Sequence, residues 1–78
     1  MVTIHRASGL RVVIFVNDHE PAHVHVFGDG EAKINLAGRR APDLVWAVGM
    51  TRSEVRRSMA LVTEHHVAFL ARWREIHG

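Results

Sequence analysis

The chain contains no cysteine. Disulfide staples and thiolate metal sites are therefore excluded, and the composition suits a reducing cytoplasm. Tyrosine is also absent and there is one lysine, Lys33. Little titrates between histidine and arginine, so the sequence pI of about 10.5 overstates the charge. The formal net charge is only +2, from 10 Lys+Arg against 8 Asp+Glu. That balance excludes a strong positive field over the whole molecule. No apolar run is long enough to span a membrane, and the N-terminus lacks the apolar core of a secretory signal. Aromatic residues make up only 6% of the 78 residues. A chain of this length builds one thin core, so a single domain over 1–78 is expected. Domains this small often lean on a metal or a partner, and without cysteine a metal would need histidine and carboxylate ligands.

Histidine, by contrast, is abundant: there are seven. Three of them, His19, His23 and His25, fall within seven residues of the run Asn17-Asp18-His19-Glu20-Pro21-Ala22-His23-Val24-His25-Val26. Two further acids and a proline share that run, and the rest of the chain reads as scaffold around it. Positive charge has its own concentration between 38 and 57, where Arg39, Arg40, Arg52, Arg56 and Arg57 outnumber Asp43 and Glu54. Such a patch suits phosphate or an acidic surface, although on composition alone an ordinary solvated surface is the preferred reading.

Periodicity predicts strands at 2–6, 10–16, 23–27, 31–36 and 44–48. The second is apolar on both faces, as an interior strand is. His23, His25 and Phe27 alternate with Val24 and Val26. A three-residue turn at Gly28-Asp29-Gly30 pairs Val24 with Ile34 and Val26 with Ala32, whereas a two-residue turn would mix the faces. The chosen register sets His25 opposite Lys33 and His23 opposite Asn35, with Arg11 on the same outer face. Thr51-Arg52-Ser53-Glu54 has the pattern of a capping box. Val55, Met59, Val62, His66, Phe69, Trp73 and Ile76 then mark one apolar stripe. One continuous helix of roughly 25 residues, about 38 Å long, is expected, with a bend near Glu64-His65-His66 as the alternative. Its far end, with Phe69, Leu70 and Trp73, is a candidate contact surface for a homo-oligomer or another protein. Trp46 and Trp73 read as core or interface anchors rather than base-stacking platforms. The fold class is α+β: a four- to five-stranded antiparallel meander covered on one face by a long C-terminal helix.

Three chemistries compete for the histidine run. Histidines at i and i+2 on a strand point the same way and can reach one ion, with His19, Asp18 or Glu20 adding a third ligand. Zinc, nickel or iron accepts such N/O ligands. Alternatively, His23 and His25 act as acid and base on RNA with Lys33 stabilising the phosphate, a scheme that needs no cofactor. Arg11, Arg39 and Arg40 are the candidate substrate-binding residues for that scheme. Finally, the imidazoles simply pin the loop, with Asp18 capping its own turn.

The run from Asn17 to Val26 resembles the signature of a small bacterial family, domain of unknown function 4160. The opening Thr3-Ile4-His5-Arg6, the apolar strand 10–16, the turn 28–30 and the closing Trp73-Arg74-Glu75 agree with it. Members commonly carry a second proline where this chain has Ala22. The resemblance implies no established activity. It does imply a gene neighbour from another uncharacterised family, domain of unknown function 2442, and hence a toxin–antitoxin-like pair. On that basis the leading expectation is a cytoplasmic, toxin-like ribonuclease with a small antitoxin-like partner. The alternative is a non-catalytic interaction module whose histidines bind zinc or another divalent metal, or serve the fold.

Overall fold

The computed structural model describes residues 1–78. The elements are β1 (Val2–Ala7), β2 (Leu10–Ile14), β3 (His23–Phe27), β4 (Glu31–Asn35), β5 (Asp43–Val48), α1 (Arg52–Glu64) and α2 (His66–His77). The strands form one antiparallel meander in the order β1-β2-β3-β4-β5. Both helices contribute to one core with a single sheet face, so the architecture is the expected α+β. No helix is long and apolar enough to cross a membrane.

The turns set the register. Ser8 and Gly9 both take positive φ, 54° and 74°, between the paired residues Ala7 and Leu10. A two-residue hairpin loop of that hand matches the strand twist. The turn at 28–30 has three residues, and Val24 pairs with Ile34, Val26 with Ala32, His25 with Lys33 and His23 with Asn35. Gly30 is required by space: a Cβ there would lie 2.1 Å from the Val48 carbonyl oxygen.

One sheet face carries Leu10, Val12, Ile14, Val24, Val26 and Ile34, which meet Leu61, Val62, Phe69 and Trp73 of the helices. The alternate residues face the opposite way. Two rows cross that opposite face from edge to edge. The first is Thr3, Val13, His25, Lys33 and Trp46, and the second is Arg6, Arg11, Phe27, Glu31 and Val48.

The helical region differs from its expected form in three ways. First, the helix is broken. His65 ends α1 with φ −106° and ψ 18°. A straight helix of about 38 Å would overrun a molecule whose longest extent is 34 Å. The break turns α2 back over β3, and His66 Nε2 donates to the Leu36 carbonyl oxygen.

Second, the buried stripe on α1 is shifted by one residue. Glu54 and Ser58 face inward, while Val55 and Met59 are only half-buried. Partners offset part of the cost: Glu54 Oε2 accepts the Asp29 N–H at 3.0 Å, although its Oε1 is buried without a partner, and the Ser58 hydroxyl donates to the Glu54 carbonyl at 2.8 Å. Thr51 does cap the helix, accepting the Glu54 N–H at 3.1 Å. The Glu54 side chain serves the β3–β4 turn instead of reaching back, so half of the capping box forms.

Third, the helix end does not protrude. Phe69 and Trp73 are 4% and 2% exposed and belong to the chain's own core.

Replacing Gly30 by Ala is expected to cost about 2 kcal/mol through overpacking, and Thr51→Ala about 1 kcal/mol through loss of the cap. Urea denaturation at equilibrium measures both. An unchanged midpoint for Gly30→Ala would contradict the close approach of the turn to β5.

Candidate metal centre

Beyond β2 the chain reverses at once. The Asp18 N–H donates to the Phe15 carbonyl at 3.0 Å, and the Leu36 N–H donates to the Ala22 carbonyl at 2.8 Å. The first closes the turn after β2, and the second ties the loop between β2 and β3 to the end of β4. β3 then starts at His23, and its pleat sets His23 and His25 on one face.

Each imidazole has one nitrogen committed. His23 Nδ1 lies 2.8 Å from the Pro21 carbonyl oxygen. A carbonyl can only accept, so Nδ1 carries the proton. His25 Nδ1 lies 2.9 Å from Glu31 Oε2, and a carboxylate again fixes the proton on Nδ1. A neutral imidazole has a single N–H. Both Nε2 atoms therefore present lone pairs.

Those lone pairs converge on Asp18. Its Oδ2 lies 3.0 Å from His23 Nε2 and 3.8 Å from His25 Nε2. The shorter approach is off the hydrogen-bonding direction, and Oδ2 is buried with no donor. The three donor atoms all lie within 4.8 Å of one another. Electron pairs crowded in this way repel unless a cation sits among them. A proton on His23 Nε2 would give an ion pair with Asp18 at this distance but no hydrogen bond, because the N–H would not point at the oxygen. A metal ion has no such demand, and ligands about 2.0 Å from a tetrahedral zinc are about 3.3 Å apart, a value between the 3.0 and 3.8 Å that separate Asp18 Oδ2 from the two ring nitrogens. The residues present therefore fit a divalent ion.

The surroundings fit too. Metal-bound histidines usually donate their other N–H to a carbonyl or carboxylate, which orients the ring and raises its basicity. Pro21 and Glu31 occupy those positions. The His23 ring packs on Trp73 at 5.0 Å, and the His25 ring meets Phe15 edge-on at 4.8 Å and Trp46 at 5.9 Å. The His23 side chain is 4% exposed, against 12% for His25 and 22% for Asp18. Access is thus from the Asp18 and His25 side.

Of the other candidate residues, only Lys33 lies beside the histidines. His19 is exposed and outside the cluster. Lys33 stands beside His25 in its row, half-buried. The Arg11 guanidinium lies 5.3 Å over the Phe27 ring. Arg39 and Arg40 are exposed in the β4–β5 loop. Sequence reasoning missed Glu31 and the Pro21 carbonyl as partners of the rings. Glu31 was within reach of it: the three-residue turn makes Glu31 a diagonal neighbour of His25 on the same face. A backbone carbonyl leaves no such trace.

Fold and site together define a small α+β domain built around a His-x-His strand and a loop aspartate. The chain belongs to the family described as Domain of unknown function (DUF4160), whose family model matches residues 9–74. That span includes Asp18, His23, His25 and Glu31. No curated protein and no solved structure matches the chain.

In the neutral protein, long-range proton–nitrogen NMR correlations should report the Nδ1–H tautomer for both His23 and His25. An Nε2–H tautomer at either ring would contradict the lone-pair assignment.

Proposed function

We propose that this protein is a divalent-metal-binding module, with the ion held by Asp18 Oδ2, His23 Nε2 and His25 Nε2. The observation that carries it is the buried, donor-less Asp18 oxygen facing two ring nitrogens whose only protons point elsewhere. Two imidazoles and one carboxylate suit zinc, nickel or iron(II). Three protein ligands leave at least one coordination position open, and the half-exposed Asp18 side is where water or a partner's side chain would take it. A metal there supplies Lewis acidity and lowers the pKa of a bound water. The chain's own residues bind and orient: Pro21 and Glu31 hold the rings, and Trp73 backs His23 against rotation.

Metal-free RNA cleavage by His23 and His25 is less well supported. An acid–base histidine needs a ring nitrogen within hydrogen-bond reach of the substrate. His23 is almost fully covered, and both its nitrogens face protein atoms. Pairing with a small antitoxin-like protein is proposed from the family resemblance alone, as is an RNA substrate for such a pair.

Zinc titration of protein purified without a His-tag tests the proposal. One equivalent should bind, and zinc at about 100 times its Kd should add about 2.7 kcal/mol of stability. The double variant His23→Ala, His25→Ala should lose this binding, and Glu31→Gln should weaken it by about 10- to 100-fold. No saturable uptake of zinc, nickel or iron(II) by the wild-type chain would reject a metal centre.

A further inference from the structure

We infer that the sheet face turned away from the helices binds single-stranded nucleic acid. The inference does not depend on a bound metal. The chain has five Phe and Trp residues. Phe69 and Trp73 are buried under the helices, whereas Phe15, Phe27 and Trp46 lie on the opposite face. A solvated sheet face normally carries polar side chains. Trp46 is 37% exposed here and Val48, two residues on, is 68% exposed.

The rings form a track rather than a scatter. His25 contacts Phe15 on one side and Trp46 on the other, at 4.8 and 5.9 Å. Phe27 lies one row away with the Arg11 guanidinium over it at 5.3 Å. Trp46 is the exposed ring of the track, with Phe15 and Phe27 half-buried beside it; a base can stack on such an exposed π-face, and because every base offers one, recognition of this kind tolerates sequence.

The charges on the two rows point the same way. Arg6, Arg11 and Lys33 stand against Glu31. Glu31 is already engaged by the His25 ring. Asp18 reaches the His25 end of the ring track, 3.8 Å from that ring, and Asp43 pairs with Asn35 beyond it, so the phosphates should keep away from both and track along Arg6 and Arg11 toward Lys33. A second copy of the chain is the competing occupant. Two such faces meeting would bring cation rows together, which favours a polyanion over self-association.

Fluorescence anisotropy with a labelled single-stranded RNA of about ten nucleotides, and the matching duplex, tests the inference. The single strand should bind, the duplex should not, and binding should quench Trp46. Trp46→Ala and Phe27→Ala should each weaken binding at least about fivefold. With three phosphates neutralised, a fourfold rise in salt should weaken binding about 15- to 20-fold, and Lys33→Gln should make that dependence shallower. Lys33→Gln leaves the rings in place, so it reports on the face even if an aromatic variant is unstable. Three outcomes would overturn the inference. One is no binding of the single strand at about 50 mM salt. Another is binding unaffected by all three variants. The last is a wild-type dimer that Trp46→Ala converts to monomer, which would assign the face to a second copy.

Discussion

Two hydrogen bonds, one from each ring of the His23–His25 pair, fix what the rest of this molecule presents. Pro21 and Glu31 take the Nδ1 protons at 2.8 and 2.9 Å. Neither acceptor can donate, so both rings are locked into one tautomer and their lone pairs are aimed inward. Asp18 then completes a set of three electron-pair donors with no proton to share. A buried polar atom without a partner costs free energy, of the order of 1–3 kcal/mol. Glu54 Oε1, Trp73 Nε1 and His77 Nε2 are also buried without a partner, but only Asp18 Oδ2 has two further electron-pair donors within 3.8 Å, and such an atom calls for an occupant such as an ion. That conjunction is the reason to read the cluster as a cation site rather than as a loop fastener.

The scaffold can be understood from this requirement. The three-residue turn at 28–30 brings Glu31 to the His25 face. A turn one residue shorter would move the alternation of β4 relative to β3 and take the carboxylate away. The break at His65 matters for the same reason. It returns α2 over β3, and that places Trp73 on the His23 ring. A continuous helix would carry Trp73 past the sheet. The half-committed capping box belongs to the same design, because Glu54 leaves the helix N-terminus to hold the Asp29 N–H of the turn.

The sheet was legible in the sequence because period-two alternation and turn chemistry are local. The register of β3 on β4 followed from keeping Val24, Val26, Ala32 and Ile34 together. Asp18, His23 and His25 were legible as a group from their crowding in the loop and strand. The helix was less so. Val55 and Met59 look like core by hydropathy, yet Glu54 and Ser58 take the inward positions because each finds a partner. Tertiary hydrogen bonds of that kind have no periodic signature. The break at His65 was offered only as an alternative, since no proline or glycine marks it. What decides it is the size of the sheet, a global quantity. Trp46 is 37% exposed and so lies outside the core; the one ring it meets, His25 at 5.9 Å, belongs to another strand and reaches it only across the assembled sheet.

The central claim is that imidazole nitrogens of His23 and His25 and the Asp18 carboxylate share one ion. X-ray absorption at the zinc edge, on protein loaded with one equivalent, reads this most directly. The account predicts an N/O shell near about 2.0 Å with multiple scattering from two imidazoles, falling to one imidazole in His25→Ala. A shell of oxygen atoms alone, with no imidazole scattering in the wild-type protein, would contradict it.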